Sequence, residues 1–407
     1  MSLTFSRRMD RVRPSAIREL LLHGADPSLI SFGGGYPDQR LFPVGDLRSV
    51  FNDILSGDGG ALQYTTSDGL PALRAEIAGR LSRQGTPTRT DDVLIVQGGQ
   101  QGLDLVGKLM IDAGDTVIVE DPTFLGALIA MNPFEPHYVT VRIDDDGLDV
   151  EHLEELLREH PEARMIYTVP DFHNPTGVTM SLERRRRLID LANQYDLLIV
   201  EDTPYRELRY DGEHIPTLRS LDTEGRVVHL GSYSKILAPG MRLGWMVASP
   251  EVLQRLSLLK LAADTQSSTL NMSAVVAFAR DYDLDDHIGR LRDAYRVKRD
   301  VMLSAIDDHF PADVARTTPS GGLFTWVTFP EGFDSAAFMK SVALPDARVA
   351  YVPGASFFAG KQQHNHARLN FSSLTEEEIV EGIGRLGDQL HLHLDHPQFT
   401  LIEGAHR

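Results

Sequence analysis

The 407-residue chain has no cysteine. That excludes a disulfide framework, thiolate nucleophiles and cysteine-ligated metal sites. Basic charge is also scarce: 40 Lys and Arg stand against 58 Asp and Glu, a formal net charge of −18. Such a surface repels phosphate backbones and argues against nucleic acid as the main partner. No apolar run approaches the roughly 20 residues that cross a bilayer. The basic residues of MSLTFSRRMDRVRPS are followed by none of the apolar stretch that a secretory signal carries. There is no internal repeat and no low-complexity linker. The expectation is a globular protein of the cytoplasm, with no membrane partner.

What is present is a 42% apolar fraction and a length that predicts two or three domains. Short Val-, Ile- and Leu-rich runs at 93–96, 116–119, 138–141, 165–169, 197–200, 227–230 and 244–248 show little polar alternation, as strands buried on both faces do. Helical patterns such as DVEHLEELLREH and SLERRRRLIDLANQY lie between them, the second with Ser181 as N-cap and Glu183 in its first turn. This alternation predicts an α/β fold, with a large domain built on a mostly parallel seven-stranded sheet. Beyond it come a long helix beginning HIGRLRDAY, strand-like runs at 322–329, 349–352 and 368–371, and a helical EEEIVEGIGRLGDQLHLHL, which together predict a smaller α+β domain. The expected division is an N-terminal arm (1–50) packing with the small domain, a large domain (51–295) and a small C-terminal domain (296–407). The arm carries one short predicted helix at 15–22 and the glycine turn Gly33, Gly34, Gly35.

Chemistry concentrates in GSYSKILAPGMRLGW (231–245), which follows a predicted buried strand. Ligands of open α/β sheets bind at that carboxyl edge. Ser232, Ser234, Lys235 and Arg242 fall within eleven residues. Two hydroxyls and a guanidinium make a phosphate site. A lysine beside such a site can bond to a phosphate-anchored aldehyde, provided its pKa falls enough to supply a free amine. The segment resembles the lysine motif of the class I/II aminotransferases, the fold type I enzymes that bind pyridoxal 5′-phosphate (PLP). There S-x-S-K, with Arg seven residues later, supplies the lysine and the phosphate ligands. The resemblance runs from about residue 15 to 373, with its motifs in the family's order.

The resemblance assigns roles to other residues. In LIVEDTPYRELRY, Asp202 would face the pyridine nitrogen and keep it protonated, and Tyr205 would donate to the ring's phenolic oxygen. In YTVPDFHNPTG, Asn174 would donate to the same oxygen, with Pro175 fixing the turn and Gly177 permitting it. IVQGGQQGLDLVGKLM reads as strand, glycine turn and helix, and the helix start near Gln100 is an anion site. The phosphate would rest on the amides of Gln100 and Gln101. Gly99 stands where many relatives have Ser or Thr, which implies one hydroxyl contact fewer. The spacing is not G-x-G-x-x-G, so NAD is not indicated. Phe124, after EDPT, would stack on the pyridine ring. Arg368 in HARLNFS would grip the substrate α-carboxylate with a bidentate pair. Tyr64 in LQYTTSDGLPALRAEI would reach the PLP phosphate of a neighbouring subunit, which implies a homodimer. RPSAIRELL…ISFGGGYPDQRLFP is similar to the 2-aminoadipate and aromatic aminotransferase branch, in which Gly34 and Gly35 would touch substrate and Arg18 would pair with a distal carboxylate.

The implied activity is transfer of an amino group between an L-amino acid and a 2-oxo acid, with Lys235 as general base and glutamate with 2-oxoglutarate as one pair. Two alternatives stay open: another PLP reaction on this scaffold, such as a β-lyase or decarboxylase, and a sensor domain like that of the MocR-type regulators. About 14 residues precede the predicted first helix, too few for a winged helix. The basic run at 184–187 is read as ion-paired or solvated. His364, His366, His391, His393 and His396 accompany no recognised metal motif, and no metal is expected.

Overall fold

The computed structural model describes residues 3–12, 28–394, 396 and 399. Strand β1 (Ile30–Ser31) belongs to the N-terminal arm and lies outside the large sheet. The seven predicted strands form as β2 (Val93–Val96), β3 (Thr116–Asp121), β4 (His137–Asp144), β6 (Met165–Thr168), β7 (Leu198–Asp202), β8 (Val227–Ser232) and β9 (Gly244–Val247). A two-residue strand, β5 (Gly147–Leu148), folds back on β4 as an eighth member. The order is β2-β9-β8-β7-β6-β3-β4-β5, with β9 and β5 antiparallel to their neighbours. The predicted mostly parallel sheet is therefore present, with one short edge strand added.

Successive side chains leave the sheet on opposite faces, and each face is covered. Val119, Tyr167, Val200, Val228 and Leu230 pack against helices Gly99–Met110, Leu125–Met131 and Pro250–Asp264. Ile118, Ile166, Ile199 and Val227 pack on the other side against helices Val150–Glu159 and Leu182–Tyr195. Ser181 caps the latter helix as expected, its hydroxyl accepting from the amide of Arg184 at 3.4 Å. The alternation places Asp202 and Ser232, at the ends of β7 and β8, on the face that also carries helix Gly99–Met110.

The C-terminal sheet contains β10 (Ala315–Arg316), β11 (Phe324–Thr328), β13 (Val352–Pro353) and β14 (His366–Asn370), in the order β10-β11-β14-β13. The single strand expected at 349–352 is divided. β12 (Val349–Ala350) pairs in parallel with β1 of the arm, while β13 pairs with β14. Tyr351, buried between them, donates to the carbonyl of Ser335 at 2.6 Å, which fixes the break. The N-terminal segment is thus stitched to the C-terminal part of the chain. Helix Val44–Leu55 runs through position 50, and helix Leu284–His309 runs through position 295. Both expected boundaries therefore fall inside helices, because the apolar periodicity continues across them. The predicted helix at 15–22 lies outside the described residues. Among the described residues no helix is long and apolar enough to cross a membrane.

Candidate active site

The carboxyl ends of β2, β3, β6, β7 and β8 converge on a cavity of about 300 Å³ lined by Gly35, Gly99, Gln100, Leu103, Phe124, Asn174, Asp202, Pro204, Tyr205, Ser232, Ser234, Lys235, Arg242 and Arg368. The volume matches small-ligand pockets. Lys235, Arg242 and Arg368 face it with one carboxylate, Asp202, a balance that favours an anionic guest.

Each side chain is set by a local feature. The turn after β2 places Gly98 at φ +78, where a Cβ would come within 2.9 Å of the Arg242 guanidinium. Only glycine tolerates both conditions. The turn lets Arg242 close over the amino end of helix Gly99–Met110, its Nη2 donating to the carbonyl of Gln97 at 2.9 Å. Ser232 donates through Oγ to Ser234 Oγ at 2.9 Å. These two hydroxyls, Arg242 and the helix end form an anion cradle. Gln101 is not at the cavity. Its amide donates to Gly98 and its side chain donates to Asp264 Oδ2 at 2.7 Å, so Gly99 and Gln100 form the wall. Phe124 caps helix Leu125–Met131 at the opposite side, and Gln100 is pinned there by donating to the carbonyl of Gly126 at 2.8 Å.

Lys235 donates through Nζ to the carbonyl of Gly35 at 2.7 Å. Burial, and then the charges of Arg368 and Arg242, lower its pKa to about 8, so a neutral amine is accessible at ordinary pH. Asp202, enclosed at the end of β7, is pushed up to about 6 by burial, against the hydrogen bond from Tyr167. That hydroxyl donates to Asp202 Oδ2 at 2.9 Å. A buried carboxylate with no cation of its own favours a cationic guest atom.

Arg368 is 1% exposed. Its Nη1 donates to Asn174 Oδ1 at 2.9 Å and its Nη2 to the carbonyl of Gly33 at 2.9 Å. Its Nε is buried and has no hydrogen-bond partner among the described residues. The guanidinium lies 4.2 Å from the ring centre of Phe324 and 5.2 Å from that of Phe357. Desolvation lowers it to about 10, and among the described residues no carboxylate forms an ion pair with it. A buried guanidinium with a spare N–H is a receptor for an incoming carboxylate. Asn174 donates in turn to the Tyr205 hydroxyl at 3.0 Å, and Gly177, at φ +76, turns the loop that presents it.

Of the residues expected here, Lys235, Asp202, Tyr205, Asn174, Ser232, Ser234, Arg242, Phe124, Gly99, Gln100, Gly35 and Arg368 share the cavity. Gly34 does not line it, whereas its neighbour Gly33 reaches Arg368. Tyr64 is 80% exposed and lines a different cleft with Gln266 and Ser268. Arg18 lies outside the described residues. Sequence reasoning missed Tyr167, Phe324 and Phe357. Tyr167 was read only as strand core, and only strand register brings it to Asp202. The basic run is resolved too. Arg184 pairs with Asp144 and Arg187 with Glu154, but Arg185 is fully buried against Asp171. The reading of 184–187 as ion-paired or solvated holds, with Arg186 exposed and the other three paired, and the structure adds that the Arg185 pair is internal. Among the described residues no group of three or more His, Asp or Glu could hold a metal.

A mixed sheet with a lysine, an anion cradle and a buried aspartate at its carboxyl edge defines a fold type I PLP-dependent enzyme. The residues fit that cofactor: the cradle suits its phosphate, Asp202 its ring nitrogen and Phe124 its ring face. The sequence profile of aminotransferase class I and II matches residues 29–386, and the chain belongs to that family. It is 40% identical over 392 residues to an aromatic-amino-acid aminotransferase of Thermococcus litoralis, covering 95% of this chain and 94% of the relative. A kynurenine aminotransferase of Pyrococcus horikoshii, solved in complex with PMP, superposes with a TM-score of 0.91 at 40% identity, covering 95% of this chain and 97% of that one. An α-aminoadipate aminotransferase of Thermus thermophilus, complexed with N-(5′-phosphopyridoxyl)-L-leucine, gives 0.88 at 37% identity, with 95% and 97% covered. The protein is a PLP-dependent aminotransferase.

Proposed function

We propose that this aminotransferase exchanges the amino group of an aromatic amino acid or 2-aminoadipate with 2-oxoglutarate, returning glutamate. The observation that carries the reading is the enclosure of Lys235 and Arg368 in one cavity, an amine of lowered pKa beside a carboxylate receptor. When bound, PLP supplies an aldehyde carbon that bonds to amines and a ring that accepts electrons from the adjacent carbon. The chain supplies the rest. Arg368 orients any amino or 2-oxo acid by its α-carboxylate, between Phe324 and Phe357. Lys235, neutral, takes the proton from the substrate's α-carbon. Asn174 and Tyr205 would hold the cofactor's phenolic oxygen, and Ser232, Ser234 and Arg242 would hold its phosphate.

The side-chain preference draws on the relatives named above, and the arm, with Gly35 and Arg18, would contribute to it. The same reading keeps an arm (1–50), a PLP-binding domain (51–295) and a small domain (296–407) as working parts. It places Tyr64 across a homodimer interface in a cytoplasmic enzyme. Exposed Leu62 and half-buried Leu270 line the Tyr64 cleft with it and support that assembly. The test is a panel of amino donors with 2-oxoglutarate, run on wild type and Arg18→Ala. Turnover of aromatic donors and 2-aminoadipate is expected, with Arg18→Ala penalising the acidic donor alone. Failure of every donor with 2-oxoglutarate overturns the pairing.

A further inference from the structure

Asp202 has one hydrogen-bond donor from the protein among the described residues, the hydroxyl of Tyr167. The register of the sheet explains how they meet. Tyr167 pairs with Val200 across β6 and β7, and Asp202 follows Val200 by two positions on the same face. A long aromatic side chain leaning along its strand reaches that neighbour. Tyr167 is 0% exposed, and burial together with the charge of Asp202 holds its pKa far above the usual phenol value. It can therefore act only as a neutral donor. The remaining charged groups acting on Asp202 are His229, which pairs with Glu201, and Glu120, which is held by Thr168 and the amide of Val169. His229 favours the carboxylate and Glu120 disfavours it. Neither hydrogen-bonds to Asp202 among the described residues.

We propose that Tyr167 is the positioning residue for Asp202, holding one carboxylate oxygen so that the other meets the cofactor's ring nitrogen and the proton between them stays on the nitrogen. The inference rests on the placement of Asp202 against that nitrogen. The physics is a competition for one proton. A buried carboxyl left without a donor binds a proton more strongly, and would take it from the ring. The hydroxyl of Tyr167 stabilises the anionic carboxylate and so tips the balance to the ring. An electron-accepting ring needs that positive charge.

The experiment uses holoenzyme carrying PLP labelled with nitrogen-15 in its ring, compared between wild type and Tyr167→Phe. The substitution removes the hydroxyl and keeps the packed ring. The expected result is a ring-nitrogen shift moving from the protonated toward the unprotonated position. PLP affinity should fall roughly tenfold, the loss of one hydrogen bond to a charged group. kcat should fall while the amino-acid KM changes little. Tyr167→3-fluorotyrosine, a stronger donor of nearly the same shape, should keep the nitrogen protonated and the affinity undiminished. A protonated signal in wild type that is unchanged in Tyr167→Phe overturns the role of Tyr167, whatever happens to thermal stability. An unprotonated nitrogen in wild type overturns instead the placement of Asp202 on which the inference stands.

Discussion

Asn174 accepts a hydrogen bond from Arg368 Nη1 at 2.9 Å through one end of its amide, and donates to Tyr205 at 3.0 Å through the other. The buried guanidinium on β14 is thus tied directly to the Tyr205 hydroxyl beyond the end of β7. The contact spans 194 sequence positions and joins β14 of the C-terminal sheet to the loop after β6 of the large sheet.

Arg368→Lys should therefore be far from conservative. A lysine keeps the charge but loses the planar fork, the bond to Asn174 and the stacking between Phe324 and Phe357. The loss expected is about 3 kcal/mol in kcat/KM for every amino acid tested, roughly a hundredfold. Steady-state kinetics with several donors check it. A loss confined to one donor would show that Arg368 reads side chains.

Lys235→Ala should abolish turnover and the absorbance band of the lysine-bound cofactor, leaving that of the free aldehyde, while PLP still binds through the cradle of Ser232, Ser234 and Arg242. Near-normal turnover in this variant would sink the mechanism.

The rate of PLP capture should follow the neutral fraction of Lys235. With a pKa of about 8, the rate rises with pH below that value and levels off above it. Arg368→Gln removes one of the two cations that hold the amine low, so its inflection should move upward. Stopped-flow absorbance on the cofactor-free protein measures both. A profile flat from pH 6 to 9 would contradict the assignment.

Asp202 should destabilise the cofactor-free fold at neutral pH. Its folded pKa, about 6, exceeds the ordinary value of 3.8 because of burial. Between those values the folded state binds more protons than the unfolded one, so stability falls as pH rises and stays low above about 6. The cost is on the order of 3 kcal/mol. Asp202→Asn should raise the melting temperature of the cofactor-free protein at pH 7.5 and leave it nearly unchanged at pH 4. Calorimetry at the two pH values decides.

Arg185→Ala should be the most destabilising change in the basic run. Arg185 donates to Asp171 Oδ1 at 2.8 Å and to the carbonyls of Met180 and Pro170 at 3.0 and 2.9 Å, closing the base of the loop that carries Asn174. Burial alone would raise the Asp171 pKa, but the guanidiniums of Arg185 and Arg206 hold it well below the usual range. Removing one partner of a fully buried pair costs about 3–5 kcal/mol. Arg184→Ala and Arg187→Ala, in partly exposed pairs, should cost under about 1 kcal/mol. Urea unfolding of the three variants tests the ranking.

The sequence alone determined the strands of the large sheet, because each buried run carries its own apolar signature and is bounded by its own turns. It also determined the cluster of Ser232, Ser234, Lys235 and Arg242, because one strand end and the loop after it hold all four. Position within a run says nothing about which strand lies beside it. The tertiary structure therefore decided that Tyr167 meets Asp202, that Phe324 and Phe357 flank Arg368, and that residues 349–353 are shared between the arm and the small sheet. It also decided that Arg185 is internal while Arg184 and Arg187 sit in partly exposed pairs, since on a helix packed against a sheet one position in a charged run can point inward. Local propensity acts over a few residues, whereas register and packing join side chains hundreds of positions apart.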